Sequence, residues 1–547
     1  MRGMEGKDYP GRTSYAVGFA LCVLGNLMLC YCPWMFALAA VAFAVSAAVA
    51  RRPLVRWLAV VSIALAVAMA IRDATNKERV RADALELIRK NEELNKSPSA
   101  GRAPSGIGAA STAASEVASQ TSSDDWPGFL GPSRNGKSAE KGLPDHWPAN
   151  GPTVVWHKEI GVGYSAPAIA RGRLFHFARF DDKSRLTCMD ALTGKTQWTC
   201  DYETNYSDML GYNNGPRATP VVDGDRVYTL GAEGILQCVR VADGERLWKI
   251  DTMKEFSVVK NFFGVGSTPL VWNDLLIVNV GGSPPGGPAD LYAARGVVQA
   301  DGSAAVAFDK KTGEVRWKTG DDLASYASPV VANVNNRDVV FVLARGGLLA
   351  IDPAQGKALA QFPWRARILE SVNASTPVAI GDEVFVSETY ELGSALVRFN
   401  GSEFQEIWSD RNRRRDRAMA LHWNTPIESG GYLYGSSGYH EPEAELRCIE
   451  WKTGKVMWRK PDLGRTSLLL SEDTLVCLSE DGSVRLVRAT PDRYDELAAW
   501  EFESEDGSPL LRNPAWAAPA LAHGLLYLQG PDQLVCVQLL GPKETAD

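Results

Sequence analysis

The chain has 547 residues, with 16 Trp, 50 Gly and 30 Pro, 45% hydrophobic and 22% charged, which describes a folded protein rich in tight turns and excludes a disordered one. Its net charge of -7 and pI near 5.6 give no polybasic signature, so no nucleic-acid partner is expected. Length alone does not choose between several ordinary domains and one large repeat domain.

In chain order, residues 1–13 are followed by three apolar blocks within 14–71, "SYAVGFALCVLGNLMLCY", "WMFALAAVAFAVSAAVA" and "LVRWLAVVSIALAVAMAI". Each reaches the lower limit for a helix crossing roughly 30 Å of hydrocarbon. Arg2, Lys7 and Arg12 precede the first block and Arg51, Arg52 and Arg56 lie between the second and third, while the Cys32-Pro33 turn carries no charge. The positive-inside rule then puts the N-terminus and the arginine loop in the cytoplasm, and three transmembrane helices put everything after Ile71 outside it. One long kinked helix across the first two blocks is the competing reading. A cleaved signal peptide does not account for three blocks. Residues 72–96 space Val80, Ala84, Leu87 and Ile88 along one side of a juxtamembrane helix. The Ser/Ala/Gly-rich stretch 97–125 lacks aromatics, as a flexible tether does. The folded domain is expected over 126–541, with 542–547 as a tail.

From Trp126 onward two motifs recur. One is a hairpin, "CMDALTGKTQW" (188–198), "AFDKKTGEVRW" (307–317) and "CIEWKTGKVMW" (448–458), with weaker forms at 238–248 and 350–357. Its glycine, at 194, 244, 313, 356 or 454, supplies the positive φ of a tight turn, and its distance from the tryptophan fixes the face of the sheet that the indole occupies. The other motif is Ser/Thr/Ala/Asn-Ser/Thr/Ala-Pro, with proline at 167, 220, 269, 329, 377, 426 and 519, and Ser467 standing in the eighth place. A further apolar strand fits between the two motifs, so each unit is four short strands, A to D. The strand-D positions are expected at Trp156, Trp198, Trp248, Trp317, Trp364, Trp408, Trp458 and Trp500. Trp156 comes before the first strand A, and the last strand C, "QLVCVQLL" (533–540), has no strand D after it. Residues 152–160 are therefore expected to complete the last blade and close an all-β, eight-bladed β-propeller of four-stranded antiparallel blades without free edges.

Cys188, Cys238, Cys448 and Cys536 share one strand-C site where other repeats carry Ala307 or Ala350, and they read as small buried residues. Cys477 falls in a strand B, Cys200 at the end of a strand D, and Cys22, Cys30 and Cys32 in the membrane region; no disulfide is assigned.

In such a blade the A–B and C–D turns share one face, and the B–C and D–A connections share the other. The first set is short, and the second contains 201–217, 251–266, 281–303 and 409–423. Elaboration confined to one face marks it as the working one. The residues just before each strand A are expected to ring the channel mouth there: Tyr164 with Ser165, Arg217, Ser267, Tyr326, Asn373, His422 with Asn424, Arg465 and Trp516. Two cations, aromatics and amides converging on an axis suit an anionic or planar ligand. The competing reading is that they cap strand ends and order water. The six histidines show no metal-ligand spacing, so no metal site is expected, "HEPE" (440–443) included. "RNRRRDR" (411–417) reads as a solvated charge cluster able to meet lipid headgroups or an acidic partner. No nucleophile triad or phosphate-binding loop stands out, and no catalytic residue is assigned.

The repeated Ser/Thr-Pro-x-Val/Ile/Leu followed by Ala/Cys-x-Asp-x-x-Thr-Gly-x-x-x-Trp resembles the PQQ-like (quinoprotein-type) β-propeller repeat family, from Trp126 to about Leu540. "DDWPGFLGPSRNG" (124–136) and "DDLASYASPVV" (321–331) look like segments of bacterial membrane-anchored or secreted proteins similar to the outer-membrane assembly factor BamB. The resemblance implies either a non-catalytic propeller that binds proteins or a dehydrogenase that holds pyrroloquinoline quinone (PQQ) and Ca2+ over the channel. The family's enzymes commonly carry a vicinal Cys-Cys disulfide and some a C-x-x-C-H haem site, and this sequence has neither motif. The expectation is a non-enzymatic protein-binding or assembly scaffold without cofactor. It is anchored in a bacterial inner membrane, with its propeller outside the cytoplasm and an unknown protein partner on the B–C/D–A face. A PQQ- and calcium-dependent dehydrogenase of alcohols or sugars is the alternative. A sensor signalling through residues 80–94 would lack a cytoplasmic output domain.

Overall fold

The computed structural model describes residues 124–540 apart from 296, 414, 441 and 505. The three apolar blocks, the juxtamembrane helix and nearly all of the tether lie outside these residues. Among the described residues no helix is long and apolar enough to cross a membrane.

Short apolar runs broken by glycine-containing turns pair in sequence order into eight antiparallel sheets. Blade 1 shows the pattern, with strand A Ala168–Ala170, B Arg173–Phe180, C Lys183–Asp190 and D Thr196–Glu203. Strands B and C are nearly continuously buried because neighbouring blades cover both faces, while D alternates toward solvent at the rim. Blades 2 to 7 run from Val221–Asp223 to Glu496–Trp500. Blade 8 contains Ala520–Ala522, Leu525–Gln529 and Gln533–Gln538, and its outer strand is Thr153–Glu159, in register from Thr153↔Gln538 to Glu159↔Gln533. Its inner strand meets that of blade 1, so the N-terminal strand closes the ring.

Six strand-D tryptophans bridge blades. Each indole N–H donates to a carbonyl in the C–D turn of the next blade: Trp156 to Ala191 (3.1 Å), Trp198 to Val241 (3.1 Å), Trp248 to Lys310 (3.3 Å), Trp317 to Pro353 (3.0 Å), Trp408 to Trp451 (2.8 Å) and Trp458 to Thr490 (2.8 Å). This adds a second reason for the turn glycine. At Gly194 (φ +66), Gly313 (φ +79) and Gly454 (φ +68) a Cβ would stand 2.8 to 2.9 Å from the incoming indole of Trp156, Trp248 or Trp408, so the ring lies directly on the turn.

Two of the eight tryptophans do not take the bridging position, although Trp500 does lie in its strand D, Glu496–Trp500. The residue opposite the strand-C small site is Ala360 in blade 4 and Ala498 in blade 7, not Trp364 or Trp500. Trp364 follows its strand, fully buried and stacked on Phe362, and Trp500 covers Gly151. Every C–D ladder carries the same bulge, so the difference lies in the residue itself: blades 4 and 7 carry alanine where the other six carry tryptophan.

Cys188, Cys238, Cys448 and Cys536 are fully buried in strand C, the first of them opposite Trp198. All six described cysteines are unpaired thiols. Burial pushes five of them up to about 12 and raises Cys200 as well, so they are packing groups rather than nucleophiles.

Candidate functional site

The residue before each motif proline points at the axis. Thr219, Thr268, Ser328, Thr376 and Thr425, with Ser467 in the eighth place and Ala166 and Ala518 in the remaining two, floor a cavity of about 380 Å³ on the long-loop side. The hydroxyls join successive blades. The amide of Thr219 donates to Thr268 Oγ1 (3.1 Å), that of Thr268 to Ser328 Oγ (3.0 Å), that of Ser328 to Thr376 Oγ1 (3.1 Å) and that of Thr376 to Thr425 Oγ1 (3.4 Å). These amides sit where no ladder partner exists, so a hydroxyl at this position satisfies them.

Phe129 and Leu130, from the segment ahead of the first blade, complete the floor. This lead-in runs across the ring. Trp126 exchanges two 2.8 Å backbone hydrogen bonds with Ile169 of blade 1, and Pro127 O accepts from Val222 of blade 2. Arg134 donates to Pro269 O of blade 3 (2.7 Å), and Lys137–Ser138 pairs in parallel with the inner strand of blade 7. Lys137 also meets Glu428 of blade 6, and Glu140 accepts from Gly524 of blade 8. Gly131 (φ +78) leaves room for the Trp126 ring, which a Cβ would meet at 2.8 Å. The cavity is therefore approached from the long-loop face.

Of the ten channel-mouth candidates, Ser165 and Ser267 are fully buried outside the cavity lining, and seven line it: Tyr164, Arg217, Tyr326, His422, Asn424, Arg465 and Trp516. Asn373 does not. It is fully buried at φ 50, and its amide donates to Ala344 O, Arg345 O and Trp364 O (3.1, 3.2 and 2.8 Å), which ties down a loop end. Asn424 donates to Ser467 Oγ (3.2 Å) and so extends the hydroxyl belt.

The two cations are not free for an anion. Arg465 lies between Trp423 and Trp516, 4.4 and 5.0 Å from their ring centres, and donates Nε and Nη2 to Glu480 Oε2 (2.9 and 2.6 Å). Trp516 Nε1 donates to the same oxygen (3.1 Å). Burial pushes the Glu480 carboxyl up, but the hydrogen bonds from Arg465 and Trp516 outweigh it and hold it below the usual range. Arg217 is paired in the same way with Asp208, whose side chain is fully buried. Burial and the Arg465 charge push His422 down to about 3, so its ring is neutral at neutral pH, with Nε2 3.2 Å from Tyr390 Oη. Burial raises Tyr164 to about 12. The rest of the wall is mainly aromatic, with Tyr212, Phe262, Phe263, Trp423, Tyr390 and Tyr439, and also includes Leu210, Val372, His440 and Glu370.

Several of these groups have no signature in sequence. Glu480 and Asp208 are single acids in loops, 15 and 9 residues from their arginines. Trp423 stands between His422 and Asn424, two residues singled out by position, and the same positional argument could have found it.

The profile of the outer membrane protein assembly factor BamB family matches residues 147–284 and 282–460, together more than half of the chain. The chain belongs to this family of PQQ-like β-propellers. No curated protein matches the sequence. Among solved structures, BamB from Moraxella catarrhalis is 13% identical with a TM-score of 0.46, covering 72% of this chain and 99% of that one. Quinohemoprotein alcohol dehydrogenase from Comamonas testosteroni is 14% identical with a TM-score of 0.44, covering 78% and 82%. The computationally designed Ika8 protein is 10% identical with a TM-score of 0.45, covering 71% and 100%.

Whether PQQ with calcium suits the cavity is decided by its donors. Calcium takes 6 to 8 oxygen ligands, mostly carboxylates. Among the described residues no group of three His, Cys, Asp or Glu is placed to hold a metal. Glu480 and Asp208 are engaged by arginine, and Glu370 stands alone and exposed at the rim. A tricarboxylate quinone would also need cations that Arg217 and Arg465 do not offer unpaired. The lining does not fit the cofactor.

Proposed function

We propose that this protein is a non-enzymatic binding or assembly scaffold, anchored in a membrane by its N-terminal apolar blocks, that receives a partner protein on the long-loop face of an extracytoplasmic propeller. The observation that carries this reading is the cavity lining, in which both arginines are neutralised by buried carboxylates while aromatic rings form the walls. Charge-neutral aromatic pockets suit recognition of an apolar anchor, whereas the quinone alternative needs free cations and a carboxylate set. Three apolar blocks followed by a tether support the membrane placement.

A photo-crosslinking residue placed at Tyr439 in the full chain, in cells that produce it, is expected to give a discrete protein adduct. The same residue at Leu192 or Ile380, beside the short turns of the opposite face, is expected to give none. Adducts confined to the short-turn face would remove the long-loop face from the account.

A further inference from the structure

If the long-loop face receives a protein, its chemistry says which kind of segment. Eleven large hydrophobic residues are exposed among the described residues, and seven of them, Val162 ahead of blade 1 included, lie on the loops of this face. Leu210 and Tyr212 precede blade 2, Tyr292 and Val297 lie on the long loop of blade 3, Ile368 precedes blade 5 and Tyr439 follows strand B of blade 6. Clustered apolar exposure on one face marks an interaction surface. A small molecule filling the cavity would still leave Val297 (83% exposed) and Ile368 (40%) in water, and a polypeptide lying across the mouth would cover them. The lining is rich in Tyr, Trp and Arg and contains no lysine, the composition of a protein-binding core. Trp423 Nε1 and Asn424 Oδ1 are buried without hydrogen-bond partners.

Charge adds a direction. Glu370 is exposed on the cavity rim and has no ion-pair partner among the described residues, in contrast to the paired Asp208 and Glu480. The rim therefore presents one uncompensated negative charge beside an aromatic hole.

Resting on the scaffold reading, we propose that the cavity takes an extended polypeptide segment that inserts one aromatic side chain against Tyr212, Trp423 and Trp516 and sets a neighbouring Lys or Arg against Glu370. The aromatic residue is the anchor, and the basic residue fixes the orientation of the segment.

The test titrates the detergent-solubilised full chain with three dye-labelled peptides, Gly-Gly-Trp-Lys-Gly-Gly, its Trp-to-Ala form and its Lys-to-Glu form, read by fluorescence anisotropy. The Trp-Lys peptide is expected to bind saturably. The Ala form is expected to be weaker by about 30-fold, as for loss of an interface hot spot, and the Glu form by about 10-fold. Glu370→Lys, an exposed loop substitution that leaves the packing untouched, is expected to reverse the preference between the Lys and Glu forms. Equal binding of the Ala form, or an unchanged preference in Glu370→Lys, overturns the proposal. So does saturable binding of maltohexaose or of phosphatidylglycerol vesicles with no peptide binding. Crosslinks at Tyr439 without binding of any peptide would sink this inference and leave the scaffold reading standing; loss of both would sink both.

Discussion

Glu480→Ala is expected to destabilise the propeller by about 3 to 5 kcal/mol, the usual consequence of removing one partner of a buried ion pair. Glu480 is 2% exposed and the Arg465 side chain 15%. The substitution leaves a guanidinium held between Trp423 and Trp516 with no counter-charge, and it also removes the acceptor of the Trp516 indole. The loss should appear as a lower urea midpoint of the full chain. Replacing both partners, Arg465→Met with Glu480→Leu, should recover much of it, because the cost lies in the orphaned charge and not in the absence of the pair. The same pair sets a pH dependence. The folded carboxyl is held below its ordinary value of 4.5, so the stability it contributes is complete above that pH and is lost as pH falls toward the depressed folded value. Glu480→Ala should be flatter than wild type across that acid window.

The second large effect is expected at Trp458→Ala, about 3 to 5 kcal/mol, as for other buried tryptophans truncated to alanine. Trp458 is 8% exposed, lies 6.0 Å from Tyr434 and 5.8 Å from Tyr494, and donates to Thr490 O of the next blade at 2.8 Å. Truncation opens a cavity between blades 6 and 7 and leaves that carbonyl without its donor. Trp458→Phe keeps a six-membered ring in the seam and loses the hydrogen bond with a smaller part of the packing, so it should cost about 1 to 2 kcal/mol. Equal urea midpoints for the two variants would mean that the hydrogen bond, and not the packing, holds the seam.

These two sites show where sequence reading succeeds and where it stops. Trp458 was legible because a blade repeats, and the fixed spacing of Gly454 and Trp458 recurs at Gly194 and Trp198. Trp364 lies just past the end of its strand D and Trp500 two residues beyond the bridging position, which Ala360 and Ala498 occupy, and a tryptophan near the expected spacing does not reveal that substitution. The ring of mouth residues followed from strand order, which is why seven of the ten candidates reach one cavity. Their charge state did not follow, since Asp208 and Glu480 meet their arginines only through the fold. The Ser/Thr before proline was visible as a pattern, but its role needed the neighbouring blade, whose amide it accepts. The lead-in segment leaves no periodic trace at all, because it is one non-repeated stretch whose contacts are spread over blades 1, 2, 3, 6, 7 and 8.

The neutral, aromatic character of the cavity is tested most directly by offering the full chain the cofactor that its relatives' enzymes use. After incubation with PQQ and calcium chloride and passage through a desalting column, the protein is expected to carry no quinone absorbance and to reduce no dye with alcohols or sugars. Stoichiometric quinone retained through the column, with turnover, would contradict the account.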